Sequence, residues 1–244
     1  MLILLPPSET KRPGGVGVSL DRAAIIWAAL EPAREVLYTA LGELCQDGEA
    51  AAKALGLGKK NQAEATLNLE LLSTPTMPAL GRYTGVLYDA LGYETLSEPA
   101  LRRADERLFI QSALFGLLPS MQQIPNYRLS AASRLPGVNL KQLWREAHTE
   151  IWPRMVGPIL DMRSKSYVDL NPVPSGRDTK FMEVLGKDGK ALNHFNKKAK
   201  GAFVRAALEH GLDSFSYIPE IAKAAGLDAE VTEGQVFLHV PVGF

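Results

Sequence analysis

Leu2-Ile3-Leu4-Leu5-Pro6-Pro7 is the stretch whose reading decides the fold. Four apolar residues in a row, stopped by two prolines, read as a short buried strand rather than as the start of a helix. The next residues, Ser8-Glu9-Thr10-Lys11-Arg12-Pro13-Gly14-Gly15, are too polar and too rich in glycine and proline for anything but a loop. Ligands of α/β sheets gather at the C-terminal ends of strands, so this loop is well placed for a site. Ser8, Glu9 and Lys11 are its candidates, with Glu9 as a general base and Lys11 as a partner for a substrate anion. An ordinary surface loop is the competing reading of the same string.

Outward from that strand, Pro32 suits the first turn of a helix, and Val36, Leu37, Leu41 and Leu44 repeat at helical spacing over roughly 32–46. Two short helices are expected to flank Leu55-Gly56-Leu57-Gly58, and 98–107 reads as an exposed helix leading into a strand at Leu108-Phe109-Ile110. Residues 140–160 read as helical, bent at Pro153 and Pro158. Tyr167–Leu170 is expected to be a short strand. Lys180–Leu185 and Lys190–Phe195 flank Asp188-Gly189, a strong hairpin signal. A helix over Lys197–His210, closed by Gly211, and a last strand over Val236–Val240 complete the chain. This irregular alternation predicts an α/β (mixed α+β) fold: one compact domain over 1–244, with a mixed central sheet and surrounding helices.

Composition narrows the partners. The 244 residues carry 27 Lys+Arg against 27 Asp+Glu, so only a local asymmetry can recruit a polyanion. The lone Cys45 excludes an intramolecular disulfide and, placed on a helix at core spacing, reads as inert. Five apolar residues without a basic start are too few for a signal peptide, and no run approaches the length of a membrane span. A cytoplasmic protein with no membrane association is expected. His148, His194, His210 and His239 show no metal-ligand spacing, so neither a metal nor a cofactor is expected, and His148 and His210 read as exposed helix residues. Neither a P-loop nor a Gly-x-Ser-x-Gly elbow occurs. Trp27, Trp144 and Trp152 read as core or as walls of a subsite.

The local asymmetry lies between 163 and 205, where ten basic residues (163, 165, 177, 180, 187, 190, 197, 198, 200 and 205) face four acidic ones (169, 178, 183 and 188). Within it, His194-Phe195-Asn196-Lys197-Lys198-Ala199-Lys200-Gly201 sits where a helix begins. Asn196 is a suitable N-cap, and free amides there favour an anion. Three lysines in that first turn oppose the helix dipole, a conflict that a bound phosphate or carboxylate relieves. A solvated basic face is the plainer reading. Lys59 and Lys60, after Leu55–Gly58, resemble the hairpin of a helix-hairpin-helix element at about 46–70, although glycine after a helix is more often a cap.

A family resemblance runs along the whole chain. Met1–Glu9 with Lys11, Gly85-Val86-Leu87-Tyr88, Glu94–Ser97, Phe115–Leu118, Pro125–Ser130, Asp161-Met162-Arg163-Ser164 with Tyr167, and His194–Lys197 with Lys200-Gly201 resemble the YaaA peroxide-stress family in order and spacing. The resemblance implies a cytoplasmic protein with a basic cleft, linked to peroxide resistance, to limiting free iron and to binding duplex DNA. This chain departs from the family's Arg-Pro-x-Asp string with Pro119-Ser120-Met121-Gln122, and has Glu9 where some relatives carry lysine.

Three functions compete. A nucleic-acid-binding stress protein would use Lys59, Lys60, Arg163, Lys165, Asn196, Lys197, Lys198 and Lys200 on phosphates. An enzyme acting on a small anion, a nucleotide or carboxylate, would draw on Glu9, Lys11, His194, Lys197 and Lys200. Its cleft would be lined by Ser8, Tyr88, Tyr127, Arg128, Ser164 and Tyr167, and Lys197 and Lys200 would share one concave pocket with Arg163 and Glu9. A scaffold acting through a protein partner is the third, and no sequence feature identifies such a partner. Family resemblance and local charge agree on the first, binding of duplex DNA or another phosphate-bearing ligand through a basic cleft, with the enzyme acting on a small anionic substrate in the same cleft as the alternative. Duplex DNA or a small anionic ligand is the expected partner, and the residues leave open whether catalysis follows binding.

Overall fold

Leu2–Leu5 is a strand, and it lies inside a seven-stranded sheet. The computed structural model describes residues 1–186, 194–241 and 244. In chain order the strands are β1 (Leu2–Leu5), β2 (Met77–Pro78), β3 (Leu108–Ser112), β4 (Gly116–Pro119) and β5 (Gln123–Ile124). They continue with β6 (Ile159–Asp161), β7 (Thr179–Leu185), β8 (Asp228–Val231) and β9 (Gln235–His239). The helices are α1 (Glu31–Leu44), α2 (Gly48–Leu55), α3 (Ala79–Arg82), α4 (Val86–Leu91) and α5 (Glu98–Arg107). After them come α6 (Leu140–Ala147), α7 (Lys165–Leu170), α8 (His194–His210) and α9 (Ile218–Ala224).

The main sheet has the order β4-β3-β1-β6-β7-β9-β8, and β2 pairs with β5 apart from it. The five inner strands run parallel, and β4 and β8 close the edges antiparallel. This is the mixed sheet that the irregular alternation of elements predicts. Strand β1 is flanked on one side by β3, through Ile3–Leu108 and Leu5–Ile110, and on the other by β6, through Leu2–Ile159 and Leu4–Asp161. Ile3, Leu4 and Leu5 are all buried, which explains why the run shows no polar alternation. The chain leaves β1 for β3 on one side and reaches β6 on the other, so the sheet reverses direction beside β1. Open α/β sheets bind ligands at such a reversal, outside the strands' C-terminal ends.

Helix α8 brings its lysines to this end of the sheet by packing closely on α4. A Cβ added at Gly201 would stand 2.1 Å from the Leu87 carbonyl oxygen and 2.9 Å from Ala90 Cβ. The Lys200-Gly201 pair therefore has a steric reason: only glycine lets the two backbones meet there. Gly211 closes α8 at φ +79, and the amides of Gly211 and Leu212 both donate to Ala207.

Four expectations need correction. The helical stretch after Leu140 ends in 3₁₀ turns at His148–Glu150 and Trp152–Arg154, and Pro158 precedes a strand, β6, instead of bending a helix. Tyr167–Leu170 belongs to helix α7, whose N-cap position is held by Ser164 in extended backbone. Helix α8 opens at His194, which puts Asn196 inside the helix and not at its cap. His148 is fully buried. Its Nε2 accepts from the Leu117 amide at 3.1 Å and its Nδ1 donates to the Trp144 carbonyl at 2.7 Å. Burial pushes its pKa down to about 4. The Asp188-Gly189 turn and Lys190–Asn193 of the expected hairpin lie outside the described residues. Among the described residues no helix is long and apolar enough to cross a membrane.

Candidate functional site

The loop after β1, the start of α4, the start of α7 and Lys197 of α8 enclose a cleft of about 460 Å³. Its walls carry the hydroxyls of Ser8, Thr10, Thr84, Ser164 and Ser166, the rings of Tyr88 and Tyr167, and two charges, Glu9 and Lys197. Its volume lies within the range of small-molecule sites, roughly 300–1,000 Å³. Gly85 takes φ +100 where α4 begins, and a Cβ there would come within 3.3 Å of Thr10 Oγ1 and 3.5 Å of Ser8 Oγ. Tyr88 is pinned by donating its hydroxyl to the Pro6 carbonyl at 2.7 Å, and Tyr167 Oη accepts from the Ala131 amide at 3.3 Å.

Of the pocket expected to join Lys197, Lys200, Arg163 and Glu9, the structure puts Lys197 and Glu9 on the cleft wall. Arg163 is fully buried below it. Its guanidinium forks onto Asp161 at 2.9 and 2.7 Å and also donates to the Asn171 carbonyl and to Gln111. Lys200 is buried as well, donates to the Met162 carbonyl at 2.9 Å and faces the Phe181 ring. Burial drives its pKa down to about 8, against the pull of Asp161 and Glu183.

Other cations of the 163–205 stretch are tied to backbone. Arg177 donates to the carbonyls of Trp152 and Met155, Lys180 to those of Thr232 and Glu233, and Arg205 to those of Leu91, Gly92 and Thr95. Among the described residues of the stretch, exposed lysines remain at Lys165, which lies 3.8 Å from Glu183, and at Lys197 and Lys198, the last over the Phe244 ring. Lys187 and Lys190 lie outside the described residues. Asn196 is half-buried. His194 opens α8, and its side chain lies outside the described residues.

Lys59 and Lys60 are exposed, but the segment they open, Lys59–Asn68, is 3₁₀ rather than α-helical. Gly56 sits at φ +68 as the C-cap of α2, the cap role that glycine after a helix commonly fills.

A second cluster stands beside the cleft. Lys11 pairs with Tyr83 across an isolated bridge, and its Nζ lies 4.2 Å from the centre of the Tyr127 ring and 5.6 Å from that of Tyr83. The amine donates to the Glu9 carbonyl at 3.3 Å. Arg128, 7% exposed, donates to the Glu9 carbonyl and carboxylate at 3.1 and 2.9 Å, while its Nε stands 3.5 Å from Glu64 without a hydrogen bond. Burial pulls the Lys11 pKa down to about 7. Arg128 and Arg82 push the same way, and Glu64 and Glu9 oppose them. Beneath the amine runs a chain of hydroxyls, with Tyr83 Oη 2.7 Å from Tyr127 Oη and that oxygen 2.8 Å from Ser112 Oγ. The amides of Leu114 and Phe115 both donate to Ser112 Oγ, so its own hydrogen goes to Tyr127 and the Tyr127 hydrogen to Tyr83.

The sequence reading expects one cleft. The structure puts Ser8, Glu9, Tyr88, Ser164, Tyr167 and Lys197 on its wall, whereas Tyr127 and Arg128, expected to line it, stand with Lys11 in the cluster beside it. Sequence reading missed Tyr83, Glu64, Ser112, Thr10, Thr84 and Ser166, none of which stands in a local pattern that marks a site.

The comparisons agree with the resemblance. Residues 1–230 match the family described as Peroxide stress protein YaaA. A UPF0246 protein of Corynebacterium efficiens is 41% identical over 96% of this chain and 97% of its own length. A UPF0246 protein of Corynebacterium glutamicum is 40% identical over 94% and 95%. One from Streptomyces coelicolor is 39% identical over 86% and 84%. With a match that covers nearly the whole chain, and relatives this similar over most of their length, the chain belongs to the peroxide stress protein YaaA family, UPF0246.

Proposed function

We propose that the protein serves its family's peroxide-stress setting by binding a small anionic ligand, phosphate- or carboxylate-bearing, in the cleft beside β1. The observation that carries this reading is the cleft itself: a concave space of about 460 Å³ at the sheet's reversal, lined with hydroxyls and one exposed lysine, Lys197. Hydroxyls and a lysine are donors to phosphate and carboxylate oxygens. Two partly or wholly buried lysines with lowered pKa, Lys11 and Lys200, stand next to it, as titratable groups do around catalytic sites. The test is thermal unfolding with a panel of nucleotides and small carboxylates. A stabiliser whose effect disappears in Lys197→Ala supports the reading, and a panel without effect at millimolar concentration rejects it.

Duplex DNA is the second reading, favoured by the exposure of Lys59, Lys60, Lys165, Lys197 and Lys198. Phosphate contacts of that kind weaken steeply with salt. Anisotropy of a labelled duplex over a salt series separates the two: a steep slope that flattens in Lys197→Ala/Lys198→Ala places DNA on this face. Failure to bind at low salt leaves the small ligand.

A further inference from the structure

We infer that a second pocket, between the turns that follow α6 and the loop that leads into β7, binds a small aromatic carboxylate. It is a site apart from the cleft beside β1, with which it shares no lining residue. Its space of about 550 Å³ lies within the roughly 300–1,000 Å³ of small-molecule sites. Trp152 and three prolines, Pro153, Pro172 and Pro174, supply apolar walls, and Arg145 and Arg177 stand among them. Among the described residues no carboxylate lines the pocket, although Asp and Glu are as numerous in the chain as Lys and Arg.

Both guanidiniums are held in place and keep their charge. Arg145 donates twice to the Asp169 carbonyl, at 3.3 and 3.0 Å, while the Asp169 carboxylate turns to Lys141. Arg177 donates to the carbonyls of Trp152, Met155 and Gly157. Carbonyls orient a guanidinium without cancelling its charge, and neither arginine pairs with a carboxylate among the described residues. Arg145 Nη1 and Arg177 Nε make no hydrogen bond among those residues, so each arginine retains a donor for a carboxylate oxygen. The pocket wall is already formed: the Trp152 indole donates to Asn171 at 3.0 Å, and the Asn171 carbonyl accepts from buried Arg163 at 2.8 Å. A bare inorganic anion would leave the apolar walls wet, and a neutral ring would leave the two charges unanswered. A flat ring that carries a carboxylate meets both demands, since it packs on proline and indole and stacks on a guanidinium plane.

Calorimetric titration with 2-naphthoate is the test, and 2-naphthamide, the same ring without the charge, is its control. The carboxylate should bind at least about tenfold tighter than the amide, because hydrogen bonds to a charged partner are the stronger ones. Arg145→Gln, a change at an exposed side chain, should remove most of that difference. Thr149→Trp, which fills the pocket from an exposed position on its wall, should weaken both ligands at least about tenfold by occupying their space. An unchanged thermal unfolding midpoint in each variant shows that the fold is kept. Lys197→Ala should leave the affinity for 2-naphthoate as it was. Equal binding of carboxylate and amide, or no binding of either at millimolar concentration, overturns the inference. So does binding that survives Thr149→Trp, and so does binding lost in Lys197→Ala, which puts the ligand in the cleft beside β1 instead.

Discussion

Two arginine–carboxylate groups stand at the C-terminal ends of neighbouring strands, and they are built to opposite specifications. Beyond β6, Arg163 is fully buried, forks onto Asp161 and gives its other donors to Asn171 and Gln111. Asn171 closes the group by donating to Gln111 and accepting from the Trp152 indole. Beyond β1, Arg128 pairs with an exposed Glu9, and its Nε stands 3.5 Å from Glu64 without a hydrogen bond. A satisfied, dry network holds a fold in one arrangement, whereas a partly satisfied group whose carboxylate is exposed can exchange that carboxylate for a ligand's. The difference separates structure from function more clearly than residue type does, since both groups are an arginine facing an acid.

The largest effect is expected on the satisfied side. Arg163→Ala leaves Asp161 buried and unpaired and should cost about 3–5 kcal/mol, the usual penalty for breaking a buried pair. Urea denaturation measures it, and a loss below about 1 kcal/mol would show that water enters the group and that the contrast is false.

Next comes acidification, read through His148 beside the same core. Its folded pKa is about 4, below an ordinary value of 6.5. Between these limits the unfolded chain takes a proton that the folded one refuses, so stability falls as pH drops through 6.5 and levels off below 4. Between pH 7 and pH 5 the loss is about 2 kcal/mol. The slope of unfolding free energy against pH reports it, and His148→Gln should flatten that slope.

How much of this was legible depended on how local each signal is. The apolar run of β1, the helix from Glu31 and the Gly211 cap declare themselves within a few residues, and the structure has them there. Tyr167–Leu170 read as a strand because tyrosine and valine favour one, yet the segment is helix α7, which starts after Ser164 in extended backbone and packs against α6. β6 has only three residues, too few to show a period, and follows Gly157-Pro158. His148 carried an unused clue: it stands four residues after Trp144, on the same helical face, and the two rings meet at 5.3 Å. The charge count over 163–205 misled for a different reason. Sequence counts charges but does not tell an arginine that donates to backbone carbonyls, as Arg177 and Arg205 do, from one that faces water. The meeting of Lys11 with Tyr83, Tyr127 and Arg128 joins segments far apart in the chain, so no local pattern announces it.

On the open side the expected stability changes are small and the chemical ones large. Arg128→Met should cost about 1 kcal/mol or less, because Glu9 is already exposed and simply returns to water. The same substitution removes a positive charge from beside Lys11. Since Arg128 is one cause of the lowered Lys11 pKa, that pKa should rise in the variant, and an NMR titration of the Lys11 amine reads the change. The pKa stays below that of a free lysine, because burial, the larger cause, persists.

Lys197→Ala is expected to change stability by no more than about 0.5 kcal/mol, as exposed substitutions do, while it removes the cleft's one positive charge. Measured together, denaturation and anion-induced thermal shift sharpen the contrast between the two groups. If Lys197→Ala abolishes the shift and Arg163→Ala, where still folded, preserves it, ligand recognition belongs to the open side of the sheet. If both abolish it, the Arg163 network positions the cleft through β6 and α7, and the two groups act as one unit.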